Sequence, residues 1–162
     1  MRRTIAAAVI ALGFAGAVSA ADYAHKIEAQ GITFEWSVAG SNLNVRLTAP
    51  GTGWIGIGFN PTRDMMDAQF LIGSVQDGRA QVGCHFGTSP ISHGSEPEMG
   101  EVTQVAGNEE NGRTQLSFTL PLVSRNQKFK PIALDRETRV LLAFGADDNI
   151  GVRHRVRTAV TV

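Results

Sequence analysis

Two adjacent methionines, Met65 and Met66, lie at the end of an otherwise polar stretch, just before an apolar one. Methionine is normally a core residue, so two of them at the end of a loop are unusual. One can belong to the core while the other projects its thioether into a cavity. Thioether sulfur is a soft ligand that suits haem iron or copper(I). This stretch is therefore a candidate source of one metal ligand.

A histidine near the C-terminus is the second candidate ligand. In a strand of period two, His154 shares a face with Val152 and Val156, while Arg153 and Arg155 point the other way. The pattern predicts that His154 faces inward. A core histidine satisfied by its neighbours explains the same pattern. An inward histidine together with an inward methionine is also the ligand set of a six-coordinate electron-transfer haem.

Other metal and catalytic motifs are absent or weak. The sequence has no Cys-x-x-Cys-His for covalent haem, no Walker loop and no Gly-x-Ser-x-Gly elbow. A copper or zinc site formed by Cys84, His85 and His93 is an alternative, although the spacing matches no standard pattern. His93 lies in a Gly/Ser/Pro-rich stretch and is expected to be solvated. The single cysteine, Cys84, is expected to be a small buried hydrophobe.

The first 20 residues have the composition of a secretory signal peptide. Arg2 and Arg3 precede an apolar stretch, residues 5–18, and small residues predict cleavage after Ala20. The apolar stretch is shorter than the ~20 residues needed to span a bilayer, and no later one is long enough. We expect a periplasmic or secreted protein that does not span the membrane once the signal is removed.

Cleavage leaves residues 21–162 as a single domain, large enough to bury its own core. The signal removes two arginines, which leaves 13 basic against 15 acidic residues. This balance argues against nucleic-acid partners and against a polybasic membrane patch.

The rest of the chain alternates apolar and polar residues with the period of β-strands. Short strands at regular spacing, with almost no amphipathic helix, predict an all-β antiparallel sandwich of about nine to eleven strands. Residues 87–100 are expected to form a loop, residues 121–138 a loop with a short helical turn, and residues 152–162 the last strand. The glycines of residues 54–59 leave room for something close to the backbone.

Three segments resemble the DOMON family: the tryptophan-led strand of residues 53–61, the turn of residues 65–69, and the apolar strand of residues 71–78. The ending, residues 140–145 followed by a strand with His154, is similar as well. Members of this family are β-sandwiches. One branch binds haem b between a methionine and a histidine, and other members are thought to bind sugars or other small ligands.

The resemblance implies that Met65, four residues before Gln69, and His154 are the axial ligands of a non-covalent haem b. Asp67 replaces the usual glycine of the turn, and Gln69 stands where aspartate is common. Met66 therefore remains the alternative to Met65.

On this interpretation the chain is an electron carrier and not an enzyme. Its partner would be a redox protein, either a periplasmic dehydrogenase or a membrane cytochrome. The apolar strand faces would bury the porphyrin, and the candidates are Trp54, Ile57, Phe59, Phe70 and Ile72. Arg153 or Arg155 could pair with the haem propionates, or could simply form a solvated strand face. Two alternatives remain open: a haem-free module that binds a sugar or an aromatic molecule, and an accessory subunit of a larger redox complex.

Overall fold

A computed structural model describes residues 23–97 and 101–162. The predicted signal peptide and its cleavage site lie outside the described residues. The described part contains eleven strands and no helix, which confirms the predicted all-β antiparallel fold. It therefore contains no helix with the length and apolarity needed to cross a lipid bilayer.

The strands form two antiparallel sheets. The five-stranded sheet has the order β1-β2-β3-β9-β8, and the six-stranded sheet has the order β11-β10-β4-β5-β6-β7. The strand bounds are β1 His25–Ala29, β2 Ile32–Ala39, β3 Asn42–Pro50, β4 Ile55–Phe59, β5 Gln69–Gln76, β6 Arg79–Ser89, β7 Ser92–Ser95, β8 Thr103–Glu110, β9 Arg113–Pro121, β10 Arg139–Phe144 and β11 Val156–Thr161.

Two-residue turns connect several neighbouring strands. At Gln30–Gly31, Asp77–Gly78 and Asn111–Gly112 both residues have positive φ. A turn with two positive φ angles matches the right-handed twist of the strands that it joins. The Asp77–Gly78 pair, which joins β5 to β6, is a residue pair that favours this kind of turn.

The inter-sheet core is made by alternate residues of both sheets. Phe34 and Leu47 of the five-stranded sheet pack with Ile57, Leu71 and similar residues of the six-stranded sheet. Every second residue of β4, β5 and β10 faces the opposite way, onto the outer face of the six-stranded sheet. This outer face carries the second apolar cluster of the molecule.

Three segments differ from their predicted form. The stretch expected as a loop contains the end of β6 and all of β7, paired through His93 and Gly87. The connection before β10 has turns but no helix within its described residues, and its Phe129 fills the inter-sheet core. The last strand begins at Val156, so that His154 precedes it.

Candidate functional site

A partly open cleft of about 230 Å³ lies on the outer face of the six-stranded sheet. Its apolar floor includes Trp54, Phe70 and Ile72, which belong to the second apolar cluster, and Leu141, which packs against that cluster. The face is thus apolar on the side that the other sheet does not cover. Apolar clefts with a few convergent polar groups are the usual form of a ligand site.

Glycines allow the aromatic residues of the floor to lie flat on the sheet. A Cβ atom at Gly58 would collide with the Phe70 ring, and a Cβ atom at Gly145 would collide with the Trp54 indole. The space that the glycines leave is therefore filled by the protein's own aromatic rings. Gly56 itself lines the cleft, next to Ile72.

Met65 reaches the cleft from the loop between β4 and β5. Its N–H donates to the Pro90 carbonyl at 3.3 Å, and its carbonyl accepts from the Ala68 N–H at 3.2 Å. A Cβ atom at Gly87 would collide with the Met65 carbonyl, so only glycine permits this close approach. Met65 packs against the second apolar cluster and lines the cleft.

The neighbouring Met66 does not line the cleft. It closes the loop on itself, because its N–H donates to the Arg63 carbonyl and its carbonyl accepts from the Thr62 N–H, both at 2.9 Å. The structure therefore separates the two methionines that the sequence leaves as alternatives. Of the two, Met65 alone lines the cleft.

His154 lines the same cleft, 89 positions further along the chain. The following residue, Arg155, donates its N–H to the Phe144 carbonyl at 2.8 Å, which holds this segment against the end of β10. Burial lowers the pKa of His154, which favours the neutral imidazole that binds metals.

The face of His154 differs from the one its periodicity predicts. Val156 and Val160 pack against the inter-sheet core, whereas His154 lies in the cleft on the outer face. The reason is local: regular alternation begins only at Val156, so His154 does not follow the strand's period. The histidine is still half-buried, but against a different surface.

Two of the predicted porphyrin contacts lie elsewhere. Ile57 and Phe59 are fully buried in the inter-sheet core and do not line the cleft. Within β4 the positions that face the outer side are Gly56 and Gly58, so the large apolar residues necessarily face inward. Trp54, Phe70 and Ile72 do line the cleft.

The arginines also differ from expectation. Arg153 and Arg155 are exposed and do not line the cleft, whereas Arg157 and Arg139 do. Cross-strand pairing explains why Arg157 lines the cleft, because Arg157 lies opposite Ala143, which also lines it. Neither lining arginine has an ion-pair partner among the described residues.

His93, expected to be solvated, is half-buried and lines the cleft. Its ring rests on Phe70 with centroids 5.2 Å apart, and its Nδ1 lies 3.2 Å from Nδ1 of His85. Burial lowers the pKa of both histidines. The sequence did not predict this position of His93, because its segment is rich in Gly and Ser, which is typical of a loop, but forms β7.

Cys84 does not join the two histidines. It is buried in the inter-sheet core, and burial raises the pKa of its thiol to about 11. His85 is the next residue along β6 and therefore faces the outer side. Among the described residues no three His, Cys, Asp or Glu side chains converge as a metal site.

The sequence matches the DOMON domain over residues 28–145, more than half of the chain. The chain belongs to the DOMON domain family. The matched segment contains Met65 and His93 and ends before His154. A comparison with curated proteins gives no significant match.

Solved structures with the same fold include two cytochrome domains. One is the cytochrome b domain of pyranose dehydrogenase from Coprinopsis cinerea, with a TM-score of 0.64 and 12% identity over 85% of this chain and 80% of that one. The other is the cytochrome domain of Myriococcum thermophilum cellobiose dehydrogenase, with the same TM-score and identity over 85% and 79% of the two chains. At this identity the likeness shows the fold.

The cleft of this DOMON domain has the donors and the polarity that a haem group requires. A thioether and a neutral imidazole suit iron, and an apolar floor suits a porphyrin. Arg139 and Arg157 supply cations for carboxylates. The buried Trp54 Nε1 has no hydrogen-bond partner among the described residues, so a polar donor beside the floor is left unpaired.

Proposed function

We propose that this chain is a b-type haem electron carrier with Met65 and His154 as axial ligands. The observation that carries the proposal is that one cleft is lined by both side chains, although they are far apart in sequence. Neither residue belongs to the inter-sheet core. Haem b is proposed because no cysteine pair is present to attach a haem covalently.

Two strong axial ligands leave no open position for oxygen or substrate. When bound, haem supplies a one-electron couple, so the domain would pass electrons and not transform a substrate. As a ligand, Met65 would favour the ferrous form and raise the reduction potential relative to a second histidine. The floor made by Trp54, Phe70 and Ile72 would exclude water from a bound porphyrin.

The arginines of the cleft suit the propionates of the cofactor. Arg157 and Arg139 both line the cleft and have no acidic partner among the described residues. A charge-assisted hydrogen bond to a carboxylate is stronger than a neutral one. Arg153 and Arg155, which are exposed, are then part of the solvated surface near His154.

The open side of the cleft would leave one edge of the cofactor near solvent, where an electron can pass to another protein. We infer an exported protein, cleaved after Ala20, with a redox partner that is a periplasmic dehydrogenase or a membrane cytochrome.

The ligand assignment is tested by paired substitutions in the exported, haem-loaded protein. Met65→Ala is compared with Met66→Ala, and His154→Ala with His25→Ala, because His25 lies on the other sheet against Trp36. The first member of each pair should lose the wild-type axial ligation, and the second should keep the wild-type spectrum. Wild-type spectra in Met65→Ala or His154→Ala would contradict the assignment.

A haem-free binding module is the second candidate. The aromatic floor would suit a sugar or an aromatic molecule. Such a protein would be colourless, would not take up added haemin, and would show quenching of Trp54 fluorescence with its ligand.

A further inference from the structure

His93 has the local environment of a metal-ligating histidine. Its Nδ1 lies 3.2 Å from Nδ1 of His85, and in the tautomer in which the His93 Nδ1–H donates this hydrogen bond, the His93 Nε2 keeps its lone pair for a metal. Its Nε2 has no partner among the described residues. Metal-ligating histidines commonly have one ring nitrogen held by a neighbour, which fixes the ring while the other nitrogen binds the metal. His85 and the Phe70 ring hold the His93 ring in this way.

His93 also lies on the same side of the cleft as Met65. The hairpin of β6 and β7 is bonded to the Met65 loop by three backbone hydrogen bonds. They join the Met65 N–H to Pro90 at 3.3 Å, the Asp67 N–H to Gly87 at 2.9 Å, and the Gly87 N–H to Ala68 at 2.9 Å.

The His93 ring contacts Phe70, Met65 packs against the apolar cluster that contains Phe70, and both residues line the cleft. His154 enters from the opposite edge of the sheet, next to β10 and β11. The side of the cleft near β7 thus has two candidate ligands, Met65 and His93, and the side near β10 and β11 has one, His154.

We propose that His93 is a second ligand on the Met65 side, so that an iron held by His154 can take either the Met65 sulfur or the His93 Nε2 as its sixth ligand. The inference rests on the proposed haem site and extends it. The exchange breaks one iron–sulfur bond and forms one iron–nitrogen bond, and no electron is transferred. The expected consequence is a lower reduction potential in the His93-ligated form, because the thioether favours ferrous iron more than a second imidazole does.

The test uses the haem-loaded full chain and follows spin state by absorption and electron paramagnetic resonance. Met65→Ala should stay low-spin and six-coordinate, with a bis-imidazole signal and a lower reduction potential than the wild type. Met65→Ala/His93→Ala should become high-spin, and added imidazole should restore the low-spin spectrum. Met65→Ala/Met66→Ala and Met65→Ala/His25→Ala are matched controls that should stay low-spin.

Two results would overturn the second ligand and leave the haem site intact. One is a high-spin spectrum in Met65→Ala alone. The other is a low-spin spectrum in Met65→Ala/His93→Ala without added imidazole. A wild-type protein that takes up no haem would instead contradict the proposed function itself, and the inference with it.

Discussion

The outer faces of the two sheets differ in chemistry although both point away from the core. On the five-stranded sheet the outward positions are polar, and Arg46 forms a bidentate ion pair with Glu35, with both N–O distances at 2.7 Å. On the six-stranded sheet the outward positions include Trp54, Phe70 and Ile72, which form an apolar cluster of their own. Folding requires each sheet to be apolar on one face only. The second apolar face is not part of the inter-sheet core, and it forms the cleft in which we propose that haem binds.

The largest expected effect on stability comes from comparing two neighbouring residues of β5 that face opposite sides of the sheet. Leu71 faces the inter-sheet core, and Ile72, the next residue of β5, faces the cleft. Leu71→Ala should lower the free energy of unfolding by about 2–5 kcal/mol, because it leaves a cavity in a filled core. Ile72 is also buried, at 5% exposure, so Ile72→Ala should lower it by about 2 kcal/mol, the low end of the same range, because this side chain borders the cleft and not the inter-sheet core.

Urea unfolding of the haem-free protein measures both values. Haemin titration of the folded variants should show the reverse order, with the weaker binding in Ile72→Ala. Equal losses of stability in the two variants would contradict the distinction between the two faces.

The next largest effect on stability is expected at Gly58, which lies against the Phe70 ring. Gly58→Ala places a methyl group against the Phe70 ring and should cost about 1–3 kcal/mol of stability. The displaced ring should also weaken haemin binding. Adding Phe70→Leu to Gly58→Ala should recover stability, because the shorter side chain leaves room for the methyl group.

Gly83→Ala is the matched control for this prediction. A Cβ atom at Gly83 would meet no atom closer than 3.7 Å, and its substitution should change thermal unfolding little. Similar destabilisation by Gly83→Ala and Gly58→Ala would show that the Phe70 contact is not the cause.

Removing one arginine from the cleft should have a smaller effect, which is expected on the affinity for haemin. Arg157→Gln removes a cation that lines the cleft, and it should weaken haemin binding about five-fold, or about 1 kcal/mol, through loss of a charge-assisted hydrogen bond. The exposed Arg79 in β6 supplies the control, since Arg79→Gln should leave the affinity unchanged. Titrations with both variants at two salt concentrations measure the effect. An unchanged affinity in Arg157→Gln would place the propionates elsewhere.

The ion pair on the polar face should give the smallest effect. The hydrogen bonds from Arg46 lower the pKa of Glu35, so its folded pKa lies below its unfolded value. The pair therefore stabilises the fold above the unfolded pKa of ~4.3, and this contribution is lost as the pH falls through the folded pKa. At pH 7 the Glu35→Gln variant should be less stable by under about 1 kcal/mol.

Chemical unfolding of wild type and Glu35→Gln between pH 7 and pH 3 measures this dependence. The wild type should lose more stability than the variant over that range, and at pH 7 the two proteins should have the same haem spectrum. If the difference in the free energy of unfolding between wild type and Glu35→Gln increased as the pH fell, the result would contradict this prediction.

Period-two alternation was sufficient to predict the sandwich and most of its strands, because burial of one face fixes which residues are apolar. It failed where the backbone leaves regular geometry. His154 precedes its strand, and Met65 lies in a loop, so neither orientation follows from alternation. His93 was missed because Gly and Ser dominate its strand, and only pairing with β6 fixes its position.

The floor of the cleft was partly predictable for a related reason. Alternation within residues 54–59 places Trp54 and Ile57 on opposite faces of the strand. Because both faces of this sheet are apolar, the sequence does not show which of the two residues faces the inter-sheet core. The glycines signalled a close approach to the backbone. They did not show that Phe70 and Trp54 themselves occupy the space.

The most direct measurement is the absorption spectrum of the mature protein, isolated from a periplasm with ample haem, before and after reduction with dithionite. The account predicts a sharp Soret band and resolved α and β bands on reduction, as for a low-spin six-coordinate haem b. A folded, colourless protein that also does not bind added haemin would contradict it and would favour the haem-free binding module.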